Sequence, residues 1–199
     1  MVRFRFLVMK KALIGYGGHS REVMCQMGEK LPCFVSDEYV NENTLPLSSL
    51  DINQYMVMVT ISNPLDRYNV IKKLPKNTKF FTFIHDTVLI MDDNVKIGEG
   101  SFIGAYSIIT TNVSIGKHSI LNRSVHIGHD TKIGDYFSGM PGSIVSGNCD
   151  LGDYVYMGNN SSIREKLKIN SNVTIGLNSG VVKNITEPGI YVGLPVKKI

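Results

Sequence analysis

Tryptophan is absent from this chain of 199 residues, and cysteine occurs only as Cys25, Cys33 and Cys149. An odd number with no Cys-x-x-Cys spacing argues against a disulfide framework or a zinc knuckle and fits a reducing, cytoplasmic location. No apolar run approaches the roughly 18 residues of a membrane span. The opening MVRFRFLV is basic and apolar but too short for a signal peptide. Met9-Lys10-Lys11 reads as an alternative start, with the first eight residues as an upstream extension. A dominant charge of one sign is also missing. The formal +4 divides into 11 Lys+Arg against 7 Asp+Glu over residues 1–84, and 10 against 10 over residues 85–199. So mild and scattered an excess argues against a nucleic-acid stripe, while the basic first part suits a small phosphate-bearing molecule.

What is present is a period of six. Every sixth residue from Ile97 to Val181 is apolar at fourteen of fifteen sites, with Gly139 the exception. Neither a helix nor a single strand has that period. The residue after the aliphatic is often glycine (Gly98, Gly104, Gly116, Gly128), and the residue two before it is usually small or β-branched (Ser101, Ser107, Val113, Ser119). Each hexad therefore reads as a short strand and a corner, with glycine expected at the corner because it takes φ > 0 without a Cβ clash. The aliphatic and the residue two before it share an inward face. Three such sides closed into a triangular coil, stacked at roughly 4.8 Å, bury a continuous column. Fifteen hexads give about five coils, roughly 24 Å of parallel β-helix.

Upstream, Ala12-Leu13-Ile14 reads as a buried strand, and Gly15-Tyr16-Gly17-Gly18-His19-Ser20 as a glycine-rich turn into a helix starting near Arg21. Such a turn lets a ligand approach the main chain and offers helix N–H groups to a phosphate, although plain architecture also uses it. Strands are expected at 32–35, 55–61 and 80–84, with a helix over 66–74. This order implies a small parallel sheet binding ligands at its carboxyl ends. The period changes near Ile84-His85-Asp86, giving domains 1–84 and 85–199. After Val181 a turn and a terminal strand, 190–198, are expected to cap the last coil.

Counted from Ile127, His129 and Asp130 fall at a corner outside the bore. The carboxylate is placed to hold the imidazole's tautomer, and Gly147, eighteen residues on, stacks one coil above. Spacing alone leaves His129 open to a solvated surface role. His126 also faces outward and is a candidate site-lining residue, whereas His118 and His85 lack partners and read as surface or boundary residues.

Hexads such as Ile97-Gly98-Glu99-Gly100-Ser101-Phe102 resemble the hexapeptide-repeat acyltransferases, whose β-helix is left-handed. With the Gly-x-Gly-Gly-His turn, Ile84-His85, Asn122, His129-Asp130 and Val192-Gly193-Leu194-Pro195, the chain from Met9 to Lys198 resembles the PglD/NeuD-type acetyltransferases. The resemblance implies a Rossmann-like first domain, a homotrimer, and transfer of acetyl from acetyl-CoA to the 4-amino group of a nucleotide-linked 4-amino-4,6-dideoxy sugar, or in one branch to a sialic acid hydroxyl. It implies His129 as general base and Asp130 as its acidic partner. Acetyl-CoA contacts fall on Ser138, Gly147, Gly176, Leu177, Lys183 and Pro195, and nucleotide-sugar contacts on Gly15, Gly17, Gly18, His19 and Asp37. His19 is open equally to capping the helix. Ser138 departs from the pattern, since many relatives carry a second histidine there.

Two rival classes remain to be weighed. A β-helix carbonic anhydrase needs three imidazoles converging on zinc, and no third histidine recurs at a coil-related site, so no metal is expected. A non-catalytic nucleotide-sugar module would keep the glycine turn without needing His129.

Overall fold

The computed structural model describes residues 9–199; the expectation that residues 1–8 are an extension lies outside the described residues. The first part is a five-stranded, all-parallel sheet in the order β3-β2-β1-β4-β5. Its strands are β1 (Lys10–Ile14), β2 (Cys33–Val35), β3 (Leu45–Pro46), β4 (Tyr55–Val59) and β5 (Lys79–Phe80). Helix α1 (Gly18–Met27) begins earlier than the sequence suggests, directly at the glycine turn. Helix α2 (Pro64–Lys73) is capped by Asn63, whose Oδ1 accepts from the N–H groups of Leu65 and Asp66 at 3.0 and 3.1 Å. The short β3 falls between the strands expected at 32–35 and 55–61. The expected strand 80–84 is two strands: Lys79–Phe80 pairs with β4, and Phe83–Ile84 pairs with Phe102–Ile103 in the coil. One run of aromatics thus serves two sheets.

From Phe83 onward the chain winds through three faces of parallel strands. Face 1 has eight strands, including Ile120–Leu121, Ser138–Gly139 and the closing hairpin Gly189–Gly193/Val196–Lys198. Face 2 has six, including His126–Ile127, and face 3 has five, including Lys132–Ile133. Pairing runs at eighteen residues, as in His126↔Ile144 and Ile127↔Val145. The repeated aliphatics fill the bore: Ile103, Ile109, Leu121, Ile127 and Ile163 are at most 1% exposed. Each such side chain contributes about 1.5–3 kcal/mol by leaving water. Serines two residues ahead also lie inside and, Ser143 excepted, spend their hydroxyls on the coil's carbonyls, as Ser161 does on Gly158 at 2.7 Å.

The expected reason for the corner glycines needs correction. Gly98, Gly104, Gly116 and Gly128 do not have left-handed φ; that conformation falls three residues after the aliphatic, on residues such as Asn112, Asp130, Tyr136 and Asn148. Glycine follows the aliphatic because a Cβ there would strike the next coil's backbone, at 2.5 Å from the Gly147 nitrogen in the case of Gly128. At Gly139, the one break in the column, Phe137 turns into the bore and is fully buried. A Cβ on Gly139 would lie 3.0 Å from the Phe137 ring, so the large residue occupies the volume the missing one leaves.

Face 1 packs on the sheet. Phe102, Ile120 and Met140 share a core with Leu13, Val23 and Met58. Helix α1 lies along the corner between faces 1 and 2, where the Ala105 N–H donates to Gln26 Oε1 at 2.8 Å and Arg123 pairs with Glu22 at 2.9 Å.

Candidate active site

The corner between faces 2 and 3 carries the dyad. His129 Nδ1 lies 2.8 Å from Asp130 Oδ2, with both side chains about half exposed. Asp130 takes φ of 58°, a left-handed corner that Asp and Asn tolerate better than other side chains. Its second oxygen accepts from Asn112 Nδ2 at 2.7 Å. The Asn112 and His129 hydrogen bonds together hold this carboxyl below the usual carboxylate range. An ionised Asp130 accepting at Nδ1 fixes the proton there and leaves the Nε2 lone pair facing outward.

Gly147 stacks directly on that ring: a Cβ on it would fall 2.6 Å from His129 Nε2. Any larger residue would push the imidazole aside. Asn112, one coil below Asp130, is a site residue that hexad reading passed over; it becomes visible only when the corner is read at eighteen-residue spacing.

The remaining expected acetyl-CoA positions divide among different places. Lys183 follows the Gly180–Val181 strand of face 2 and so shares the His129 corner, higher up the prism. Gly176 and the exposed Leu177 follow Val173–Ile175 of face 1, on the corner between faces 1 and 2. Pro195 lies in the closing hairpin. Within one chain, then, face 2 separates the two groups. Ser138 requires a correction. It lies on face 1, fully buried against the sheet domain, where its hydroxyl donates to the Ser62 carbonyl at 2.7 Å and accepts from Arg67 at 3.0 Å. It has no open side toward a thioester.

At the carboxyl ends of β1, β2 and β4 a cavity of about 460 Å³ is lined by Gly15, Tyr16, Ser36, Tyr39, Ile61 and neighbouring apolar residues. Gly15 has φ of 113° and approaches Thr60 closely. Asp37 follows Ser36 at the edge of this cavity, and hydrogen bonding from the Ser48 side chain and then from the Ser48 N–H, at 3.2 Å, lowers its pKa. Gly17 caps α1 and Gly18 is its first residue. The structure does not bring His19 to the opening. Its side chain is 8% exposed, edge-on to Phe102 at 5.3 Å, and burial lowers its pKa to about 4.

His118 is a boundary residue, edge-on to Phe80 and stacked on Tyr136 at the seam, with its pKa also lowered to about 4 by burial. His85 bonds Thr87 near the first coil, and His126 faces outward on face 2. Among the described residues no three His, Cys, Asp or Glu side chains gather into a metal site, and no helix is long and apolar enough to cross a membrane.

The family model for bacterial transferase hexapeptide (six repeats) matches residues 94–129, which include the first coils and His129. That stretch of the coil is similar to the hexapeptide repeats of bacterial transferases. Two curated relatives match part of the chain. One is a probable UDP-3-O-acylglucosamine N-acyltransferase 2, mitochondrial, from Arabidopsis thaliana, 36% identical over 112 residues, or 53% of this chain and 36% of that protein. Another is a GDP-perosamine N-acetyltransferase of Escherichia coli O157:H7, 32% identical over 76 residues, 38% of this chain and 34% of that one. The chain spans about a third of the length of these relatives. Over the whole fold, the crystal structure of PerB from Caulobacter crescentus in complex with CoA and GDP-perosamine superposes with a TM-score of 0.85 at 21% identity, covering 96% of this chain and 98% of that one. At that identity the shared feature is the fold.

Proposed function

We propose that the protein is an acetyl-CoA-dependent N-acetyltransferase acting on the 4-amino group of a nucleotide-linked 4-amino-4,6-dideoxy sugar in the cytoplasm. The observation that carries the reading is the 2.8 Å His129–Asp130 pair on an outward corner, with Gly147 stacked above it. The CoA and GDP-perosamine held by PerB support the two substrate classes. In this reading the coil is left-handed, the sheet domain (1–84) is a Rossmann-like nucleotide-sugar holder, and residues 85–199 carry the acetyl transfer.

The sugar nitrogen attacks the thioester carbonyl carbon while His129 Nε2 takes its proton. The N–C bond forms, the C–S bond breaks, and the proton passes from the imidazolium to the departing sulfur. Asp130 stabilises the imidazolium, and the Gly147 main-chain N–H is the donor to the oxyanion.

A homotrimer gathers the divided residues. Face 1 is covered by the sheet domain, face 3 presents Lys96, Lys132, Asp150 and Lys168, and face 2 exposes Leu89 and Ile144. Three prisms turning face 2 toward a common axis set the His129 corner of one against the Gly176–Leu177 corner of the next. That second corner also carries α1 and its glycine turn. Acetyl-CoA then runs along the groove past Gly147, Gly176, Leu177, Lys183 and Pro195, and Gly15, Gly17, Gly18 and Asp37 take the nucleotide.

The test is thiol release from acetyl-CoA with GDP-, UDP- and dTDP-linked 4-amino sugars and with sialic acid as acceptors. N-acetylated product is expected. His129→Ala is expected to lower kcat by about 10²–10⁴ with CoA binding retained. Turnover of the hydroxyl acceptor alone would replace the reading with O-acetylation, and unchanged kinetics of the variant would remove His129 as the base.

A further inference from the structure

Among the described residues the largest fully buried side chain is that of Arg67, on α2. Among the described residues no carboxylate pairs with it. Burial lowers its pKa to about 9, so it is a cation at neutral pH. An unpaired buried charge persists only when its donors are all spent on acceptors. Nε donates to the His118 carbonyl at 2.8 Å. Nη2 donates to the Tyr136 and Phe137 carbonyls at 2.8 and 3.0 Å and to Ser138 Oγ at 3.0 Å. Nη1 donates to the Ser62 carbonyl at 3.2 Å and to that of Ile61. Ser138 closes the ring by donating to the same Ser62 carbonyl.

Three pieces of chain therefore meet on one planar fork: two successive coils, at His118 and at Tyr136-Phe137-Ser138, and the loop between β4 and α2. That loop separates two openings. Ile61 walls the 460 Å³ cavity at the strand ends. Asn63, Pro64 and Leu65 wall a second cavity of about 180 Å³ against Tyr154, Tyr156, Asn172 and Thr174 of the coil.

We infer that Arg67 is a positioning residue for the acceptor substrate: it fixes the Ile61–Asn63 loop, and with it the nucleotide cavity, at one height on the β-helix. The inference rests on the acetyl-transfer reading, in which the acceptor bound by the sheet domain must meet an acetyl group held by the coil. Displacement of a bound group by about 1 Å is enough to cost large factors in rate. Lysine cannot replace this residue, since a single ammonium has three donors and no fork to span two coils and a loop. The arrangement also gives the serine at 138 a physical reason. Its side chain faces a guanidinium at hydrogen-bond distance, in space where a histidine ring would displace the fork.

A purely stabilising role and a positioning role differ in which substrate notices the change. Calorimetric affinities for GDP, UDP and dTDP and for CoA, with steady-state KM for both substrates, are to be measured on the full-length wild type, Arg67→Lys, Arg67→Met and Ser138→Ala. Both Arg67 variants are expected to weaken nucleotide binding about tenfold or more, the scale of losing hydrogen bonds to a charged group, with acetyl-CoA KM within about twofold. Ser138→Ala is expected to move in the same direction by a smaller factor. Equal losses for both substrates, or a lower Tm with unchanged kinetics, would overturn the inference while leaving the acetyl-transfer reading intact. A wild type that binds no nucleotide and releases no CoA would overturn that reading itself. Should Arg67→Met fail to fold, Ser138→Ala and Arg67→Lys decide the same question.

Discussion

The coil and the sheet domain reach their folded state by opposite routes. In the coil, one rule repeats: an aliphatic turns inward, a close approach follows, a left-handed corner comes next, and partners lie eighteen residues away. In the sheet domain the decisive contacts are particular and distant. Arg67 reaches acceptors 51 and 71 residues further along the chain, and His19 packs under Phe102. Among the described residues the bore is lined by apolar side chains, Phe137 among them, whereas two buried histidines lie at the seam. The repeat supplies stability in small equal increments, and the seam concentrates it in a few groups that pH and single substitutions can address.

Acid is the strongest way to separate the two regions. His19 and His118 would titrate near 6.5 when exposed and are lowered to about 4 by burial. Between those values the unfolded chain takes up protons that the folded seam refuses. Stability is therefore fully present above pH 6.5 and falls as pH drops toward 4, by on the order of 3 kcal/mol for each histidine. Urea unfolding at pH 7 and pH 4.5 checks the direction. His118→Phe, which keeps the ring contacts with Phe80 and Tyr136, is expected to remove about half of the slope. Hydrogen exchange at pH 4.5 is expected to quicken in α2 and Val57–Val59 before Ile127–Val145. A pH-independent Tm would show that the seam is not the weaker region.

The coil's own irregularity offers a test of the opposite kind. Restoring an aliphatic at the break, Gly139→Ile, forces a side chain against Phe137, Ser143 and Val125, all within 3.2 Å of the new Cβ. Overpacking of this sort costs about 1–3 kcal/mol. Phe137→Val alone leaves a void and is expected to destabilise as well. Combined, the two exchange volume between neighbours and return the hexad to the common pattern, so the double variant is expected to be more stable than either single one. Strict additivity in urea midpoints would mean that Phe137 does not fill the Gly139 gap.

How much was legible follows from the same contrast. Ile97 to Val181 could be read as a β-helix because each hexad repeats the evidence of the last, and His129, Asp130 and Gly147 could be set together because corners stack at a fixed spacing. The reason for the glycines is not legible there, since close approach between coils leaves no trace within a single hexad. In the sheet domain the strands and the glycine turn were visible as short apolar runs with punctuation. Phe80–Ile84 was not visible as two strands, because nothing local in FFTFI says where one sheet hands over to another. Arg67 gave no signal at all: within PLDRYNVIKK it reads as one more polar position on an amphipathic helix. Ser138 followed, its place being decided by that arginine.

The smallest expected effect separates two asparagines that look alike in sequence. Asn63 acts through its side chain, capping α2 from an extended backbone with φ of −67°. Asn172 acts through its backbone, holding a corner at φ of 58°. Alanine is expected to cost about 1 kcal/mol at either, through a lost cap at one and left-handed strain at the other. Threonine tells them apart, because its hydroxyl is a competent cap while its branched Cβ is poorly suited to positive φ. Asn63→Thr should therefore melt within a degree or two of the wild type, with Asn172→Thr lower by several degrees, the shift roughly 1 kcal/mol gives in a chain of this size. Equal melting temperatures for the two variants would mean that the corner residues are not held by backbone conformation, and the account of why asparagine and aspartate recur at these corners, Asp130 included, would fall with it.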